Sequence, residues 1–140
     1  MMKLVFSFRK EFDSDKKSIK FIEAVLQDLK KALSIDEETY YGIVISTSEG
    51  MNNAIYHGNK CNPEKKACLS IEATKKEIIF IIEDEGLGFS FDDLPDPRIP
   101  ENLYKDHGRG VFIIRNFMDT VDFIHSGRGT KLIMKKKIKN

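Results

Sequence analysis

The sequence predicts an α+β domain whose helices pack on one face of a mixed, mainly antiparallel sheet. Three observations support this fold class: an alternating apolar segment near the amino terminus, helical periodicity in the segments that follow it, and two pairs of short apolar segments that fit hairpins. The chain has 140 residues, of which 41% are hydrophobic, so a single domain spanning residues 1–140 is expected.

The first three elements are a strand and two helices. Leu4–Arg9 alternates apolar and polar side chains, as a strand does. Asp13–Asp15 offers a helix cap, and the apolar residues behind it recur at intervals of three and four. Ser34–Glu37 fits a capping box, which predicts a second helix that ends at Gly58.

The remaining elements are two hairpins and a helix between them. Ala67–Thr74 and Glu77–Glu83 predict the first hairpin, and the second of these strands is apolar on both faces, which indicates a central or doubly covered strand. A third helix is predicted from Gly110 to about Met118. Val121–His125 and Thr130–Lys137 then close the chain as a second hairpin.

The composition excludes several classes of protein. The 23 basic and 22 acidic side chains leave a net charge of +1, whereas a nucleic-acid-binding protein is expected to be clearly basic. No apolar run approaches the roughly 20 residues that span a bilayer. No secretory signal is recognisable. We therefore expect a cytoplasmic protein without membrane or nucleic-acid partners, in which Cys61 and Cys68 stay reduced.

A first candidate for chemistry is a polar helix face. Residues four apart on a helix lie about 40° apart around its axis. Glu49, Asn53 and His57 therefore share one face of the second helix. A carboxylate, an amide and an imidazole are costly to bury without partners. A solvated helix face is the alternative explanation of this segment taken alone.

Two glycine-containing segments are the other candidates. Asp84–Gly88 follows the apolar strand, and its D-x-G-x-G pattern also fits an ordinary tight turn. Gly108–Gly110 precedes an apolar run, where backbone N–H groups at a helix start would form an anion site. Neither a Walker A loop nor a Rossmann fingerprint is present. A surface salt bridge is the alternative role for Arg109.

The three segments, in this order, resemble the N, G1 and G2 boxes of the GHKL ATPase/kinase superfamily. The detailed pattern is most similar to its anti-sigma-factor serine/threonine kinase branch. The resemblance covers nearly the whole chain and implies a Bergerat-type ATP-binding α/β sandwich, that is, one histidine-kinase-like ATP-binding domain. A chain of 140 residues has no room for the additional domains of histidine kinases, gyrases or chaperones, which favours this compact branch.

The resemblance assigns roles to the first two segments. Asn53 corresponds to the Mg²⁺ ligand, and Glu49, one helical turn earlier, to the general base. Asp84 corresponds to the residue that accepts a hydrogen bond from the adenine amine. Gly86 and Gly88 would let the backbone approach the nucleotide. Asn52 is a weaker polar contact, and Gly50, where the family often has alanine, has no functional explanation.

The third segment and the end of the chain complete the expected site. Gly108, Arg109 and Gly110 correspond to phosphate contacts, with Lys105 as a weaker one. Thr130 matches a threonine of the adenine network. His107 and His125 are expected to be ordinary polar residues rather than ligands.

The resemblance implies an ATP- and Mg²⁺-dependent protein serine/threonine kinase that phosphorylates an anti-sigma-factor antagonist and sequesters a sigma factor, as a homodimer. Ser90–His107, which holds three of the four prolines, is expected to be a mobile nucleotide lid. Two alternatives stay open: a non-catalytic nucleotide-gated binding protein of the same fold, which the presence of Glu49 disfavours, and a scaffold domain without ATP, which the three intact boxes disfavour.

Overall fold

The structure is a computed structural model that describes residues 3–86, 106–126 and 128–138, with backbone alone for residues 106–109 and 126. Its elements are β1 (Phe6–Asp13), α1 (Lys17–Leu33), α2 (Glu37–Asn52), a π-helical turn (Asn53–Gly58), β2 (Lys66–Ala73), β3 (Glu77–Glu83), α3 (Asp106–Phe117), β4 (Thr120–Ser126) and β5 (Gly129–Lys137). The strands form one sheet in the order β1-β2-β3-β5-β4. The predicted α+β architecture is confirmed, and every pairing among the described strands is antiparallel, with no parallel pair.

Strand β1 is longer than the alternation predicts. It pairs with β2 from Phe6 to Asp13, whereas the prediction ended at Arg9. Lys10 interrupts the apolar alternation on the face that carries the buried Phe12. Its ammonium group lies 3.9 Å from the centroid of the Phe21 ring, so an aromatic contact replaces the expected apolar one.

Strand β3 lies at the centre of the sheet, as predicted. Ile78, Phe80 and Ile82 are buried, while the residues between them are only half-buried. The alternation shows that helices cover one face of this strand and leave the other partly exposed. The strand is therefore apolar on both faces because it is central in the sheet, and not because other elements cover both of its faces.

The N-cap of helix α2 lies two residues later than the sequence predicts. Asp36 is the N-cap, and its carboxylate accepts a hydrogen bond of 2.7 Å from the Thr39 N–H. The predicted cap, Ser34, instead ends α1 in a left-handed conformation with φ 53°. The capping-box prediction was wrong because Ser34 closes α1 in the left-handed region, whereas an N-cap residue needs an extended backbone, which Asp36 has.

Gly50 acquires a structural explanation. A Cβ atom at this position would lie 2.6 Å from Ile82 Cδ1 and 3.0 Å from Leu132 Cδ2. The absent side chain thus lets α2 pack directly on the two central strands. Since α2 carries the polar face predicted above, this contact fixes the distance of that face from the sheet.

The second helix ends at Gly58 as predicted, but its last turn is not α-helical. Residues 53–58 form a π-helical turn, and the Asn59 N–H donates to the carbonyl of Ala54, five residues earlier. Eight residues of α-helix would leave His57 about 80° away from Glu49 around the axis. The smaller rotation per residue in a π-turn reduces this offset and keeps the two side chains on one face.

Helix α3 begins at Asp106, four residues before the predicted start at Gly110. Gly108 and Gly110 are weak helix formers, which is why the sequence placed them ahead of the helix. Packing of Gly110 against α2, described below, overrides that propensity. Apart from Asp106 and His107, the predicted lid lies outside the described residues.

Two further expectations concern thiols and membranes. Cys61 is exposed, Cys68 is buried, and neither forms a disulfide. Burial raises the pKa of the Cys68 thiol, with smaller contributions of both signs from neighbouring groups. Among the described helices, none has the length and apolar character needed to cross a bilayer.

Candidate functional site

Asn53 lies where two cavities meet. It begins the π-turn, and its side chain is 4% exposed. The outer cavity, of about 510 Å³, is lined by Glu49, Asn52, Asn53, Tyr56, His57, Gly110 and Ile113. The inner pocket is lined by Gly50, Asn53, Ala54, Ile82, Asp84, Phe123, Thr130 and Leu132. The predicted metal ligand is therefore shared by both spaces.

The amide of Asn53 is not satisfied within the described part of the chain. Its Nδ2 atom is buried and has no hydrogen-bond partner there. Burying an amide donor without a partner costs about 1–3 kcal/mol in proteins. An unsatisfied polar atom at a cavity junction is typical of a residue kept for a ligand.

The outer cavity joins the first and third segments of the sequence. A Cβ atom at Gly110 would lie 2.7 Å from Glu49 Oε2 and 3.7 Å from Asn53 Oδ1. The backbone of α3 thus approaches the carboxylate and the amide as closely as a glycine permits. Glu49 and Gly110 are 61 positions apart in the sequence. They meet because α2 and α3 pack side by side.

Asp84 lies in the inner pocket and is held by backbone donors. Its Oδ1 accepts hydrogen bonds from the N–H groups of Gly86 at 3.0 Å and Thr130 at 3.2 Å. No described residue donates a hydrogen bond to Oδ2. A Cβ atom at Gly58 would lie 2.3 Å from that Oδ2, so the missing side chain of Gly58 makes room for the carboxylate.

The surroundings of Asp84 shift its pKa upward. Burial raises the pKa above the ordinary value of 3.8, and the N–H groups of Gly86 and Thr130 oppose that rise. A carboxylate kept partly desolvated, with no described donor at its second oxygen, is prepared to accept a hydrogen bond from a ligand.

Thr130 stands beside Asp84, as the sequence predicts. It is 5% exposed, and the Asp84 N–H donates to its carbonyl at 3.0 Å. Its hydroxyl oxygen lies 3.1 Å from His125 Nδ1, within hydrogen-bond distance. His125 faces Thr130 across the β4–β5 hairpin, so cross-strand register, rather than any motif, brings this histidine to the site.

The inner pocket is narrow, with a volume of about 10 Å³. That is roughly the space of one water molecule. A purine is much larger, so binding of a base in this pocket requires its walls to move apart.

Asn59 is a residue that the sequence analysis missed. It is 1% exposed and makes three side-chain hydrogen bonds, to Ser14, Lys66 and Glu85. It directly follows the predicted helix stop Gly58, and a single asparagine after a glycine looks like an ordinary turn residue. A spacing pattern could not reveal contacts to three separate elements.

The other predicted phosphate contacts are only partly described. Gly108 and Arg109 belong to the first turn of α3, where backbone N–H groups have no partners within the helix. The backbone N–H groups without helical partners therefore belong to residues 106–109, whereas the sequence placed the helix start at Gly110. Gly88 and Lys105 lie outside the described residues.

These residues fit a magnesium nucleotide. Mg²⁺ prefers oxygen ligands, keeps several waters and needs few protein ligands, so one amide oxygen at Asn53 meets its requirement. The buried Nδ2 of Asn53, a donor without a described partner, would suit a phosphate oxygen, and Asp84 lines the adjoining pocket with no described donor at its Oδ2.

Comparisons with known proteins identify an ATPase domain. A family model described as a histidine kinase-like ATPase domain matches residues 12–136. An anti-sigma F factor from Clostridium perfringens (strain SM101) is 33% identical over 101 residues, which cover 69% of this chain and 71% of the relative. An anti-sigma F factor from Bacillus subtilis (strain 168) is 34% identical over 110 residues, which cover 75% and 73%.

Solved structures agree at the level of the fold. A Mycobacterium tuberculosis protein with RsbU and RsbW domains superposes with a TM-score of 0.64 at 13% identity, over 96% of this chain and 33% of that one. The Acinetobacter baumannii histidine kinase AdeS gives 0.51 at 18% identity, over 95% and 68%. The matched family model and the similar relatives show that this chain belongs to the histidine kinase-like (GHKL) ATPase family, in its anti-sigma-factor kinase branch.

Proposed function

We propose that this protein is an ATP-dependent serine/threonine protein kinase that phosphorylates an anti-sigma-factor antagonist and also sequesters a sigma factor. One observation carries the catalytic part: the Glu49 carboxylate shares a cavity with Asn53 and lies directly against the backbone of α3. The names of the similar relatives, anti-sigma F factors, support the sigma-factor part.

Each residue of the site has a separate task in this proposal. Bound Mg²⁺ would neutralise phosphate charge and ATP would supply the phosphoryl group. Asn53 would hold the metal through its amide oxygen, and Asp84 would accept a hydrogen bond from the base through Oδ2. Phosphoryl transfer asks the protein mainly for positioning and charge stabilisation, so this inventory is sufficient.

Glu49 is the proposed general base. Its carboxylate, held beside Gly110, would accept the proton of a serine or threonine hydroxyl as that oxygen bonds to the γ-phosphorus of ATP, while the bond from that phosphorus to the departing ADP breaks. Such assistance typically contributes about 10²–10⁴-fold in rate. The first turn of α3 would face the phosphates with its unpaired backbone N–H groups.

The partners and the assembly are part of the same proposal. The substrate is a small antagonist protein, the sequestered partner is a sigma factor, and the kinase acts as a homodimer. Sedimentation equilibrium of the protein alone tests the homodimer, and a monomer at micromolar concentration would contradict it.

The second candidate is a nucleotide-gated binding protein that transfers no phosphate. Incubation with γ-labelled ATP, Mg²⁺ and candidate antagonist proteins encoded in the same genome separates the two. The kinase proposal predicts label on a serine or threonine of one antagonist. Nucleotide-dependent sigma-factor binding without any labelled protein would favour the second candidate instead.

A further inference from the structure

Asn59 is a buried polar residue near the site that makes three side-chain hydrogen bonds and has no role in the proposed function. Its Nδ2 donates to Ser14 Oγ at 2.9 Å and to the Lys66 carbonyl at 2.9 Å. Its Oδ1 accepts from the Glu85 N–H at 2.7 Å. Both amide donors are used, and this buried side chain is fully committed to protein contacts.

The bond to Glu85 attaches Asn59 to the acidic turn that carries Asp84. The side chain of Glu85 is also held, because its Oε2 accepts a hydrogen bond of 3.0 Å from the Lys66 N–H. Asn59 therefore bonds the backbone of the turn, while Lys66 bonds both Asn59 and the Glu85 side chain. The turn is fastened to the end of the π-helical segment by this group.

Two separate contacts then determine where the Asp84 carboxylate lies. On the sheet side, backbone hydrogen bonds with Thr130 hold Asp84 to β5. On the helix side, Asn59 holds Glu85, and Gly58 lies against the carboxylate itself. Strand pairing alone leaves the distance between the turn and the helix unspecified, so the contact through Asn59 supplies that constraint.

Asn59 directly follows the π-helical turn, and that turn begins with Asn53. We propose that Asn59 is a positioning residue that sets the separation of Asp84 from Asn53 and thereby the affinity and base selectivity for adenine nucleotides. The inference rests on the proposed role of Asp84 in recognising the adenine amine. Asn59 itself touches no ligand in this proposal.

Ser14 offers a matched control within the same network. It is 5% exposed, donates to the Lys65 carbonyl at 2.6 Å and accepts from Asn59. Ser14→Ala removes buried hydrogen bonds without touching the bond between Asn59 and Glu85. A merely structural role for Asn59 would make both variants less stable and leave nucleotide selectivity unchanged in both.

The test measures ADP and GDP affinity by titration calorimetry, below the unfolding temperature of each variant. Asn59→Ala should weaken ADP binding by about tenfold or more, the effect of losing one buried hydrogen bond that holds the site. The preference for ADP over GDP should shrink in parallel. Ser14→Ala should keep both values near those of the wild type. If Asn59→Ala does not fold, Asn59→Gln retains the amide but displaces it by one methylene, and the same losses are expected.

The inference is wrong if a folded Asn59 variant binds ADP with wild-type affinity and selectivity. It is also wrong if Ser14→Ala loses the same affinity and selectivity, because the loss would then come from general destabilisation of the hydrogen-bond network and not from the bond between Asn59 and Glu85. Asp84→Ala distinguishes this failure from failure of the proposed function. Wild-type ADP affinity in Asp84→Ala would exclude the adenine role of Asp84 and with it the proposed function of that residue. If Asp84→Ala loses ADP affinity but the Asn59 variants do not, only the inference about Asn59 is overturned.

Discussion

The negative charge of Asp84 lowers the stability of the folded protein, and the proposed nucleotide site uses that charged carboxylate to accept a hydrogen bond. Burial raises the pKa of this carboxyl above its ordinary value of 3.8. A group of this kind contributes stability below its unfolded pKa, and the contribution is lost as the pH rises through the folded pKa. At neutral pH the ionised Asp84 therefore lowers the free energy of unfolding of the protein without nucleotide. Such a cost is expected of a residue retained for binding.

Asp84→Asn tests this account at the residue scale. The amide oxygen still accepts from Gly86 and Thr130, but the charge is gone. Without nucleotide, the variant should be more stable than the wild type at pH 7, and the difference should narrow as the pH falls toward 3.8. Urea unfolding across that range measures it, with Asp122→Asn on the exposed side of β4 as the control. A wild type that is the more stable protein at pH 7 would contradict the account.

At the scale of elements, the contact between α2 and α3 places the proposed base Glu49 and the proposed metal ligand Asn53 beside Gly110. Two glycines lie in this contact, and each is close to a side chain of the other helix. A Cβ at Gly110 would meet the end of the flexible Glu49 side chain, whereas a Cβ at Gly42 would lie 2.6 Å from Phe117 Cδ1 and 3.2 Å from its Cβ. The first clash would move the carboxylate of the proposed base, and the second would move a packed aromatic residue.

Substitution of these two glycines should therefore give opposite results. Gly110→Ala should change the free energy of unfolding by less than about 1 kcal/mol, because helix propensity improves and Glu49 can turn aside, but it should slow phosphate transfer markedly. Gly42→Ala should cost about 1–3 kcal/mol through overpacking and leave the transfer rate per folded molecule unchanged. Urea unfolding and a transfer assay measure both, and a Gly110→Ala enzyme with wild-type activity would refute the proposed placement of Glu49.

The elements also show what periodicity in the sequence can and cannot predict. Alternation and helical spacing predicted the order of all described strands and helices, because burial of one face imposes those periods. The π-turn at Asn53–Gly58 and the early start of α3 escaped prediction, since both depend on contacts with distant segments. The extension of β1 was missed because Lys10 packs on an aromatic ring instead of pointing to solvent.

For the molecule as a whole, the resemblance of three short segments predicted which residues would meet. Glu49, Asn53 and Gly110 do line one cavity, and Asp84 and Thr130 do line the next. Asn59 could not be found in this way, because its contacts reach Ser14, 45 residues away, and Glu85, 26 residues away. Long-range hydrogen bonds of a single asparagine leave no pattern in a sequence.

Binding of a magnesium nucleotide should be visible in the stability of the whole domain. A ligand at a hundred times its dissociation constant raises the free energy of unfolding by about 2.7 kcal/mol. We expect this increment with Mg²⁺ and ATP in the wild type. Asn53→Ala should lose the part that depends on Mg²⁺, which comparison of ATP with and without a chelator isolates. A variant that keeps the full Mg²⁺-dependent increment would exclude Asn53 as the metal ligand.

The most direct test of the central claim is the single-turnover rate of phosphate transfer from ATP to the antagonist by Glu49→Gln. The substitution keeps the shape and hydrogen bonding of the side chain beside Gly110 but removes its ability to take a proton. Nucleotide and partner binding should remain at wild-type levels, while transfer should slow by about 10²–10⁴-fold. Transfer at the wild-type rate would show that the base lies elsewhere and would favour a nucleotide-gated binding protein.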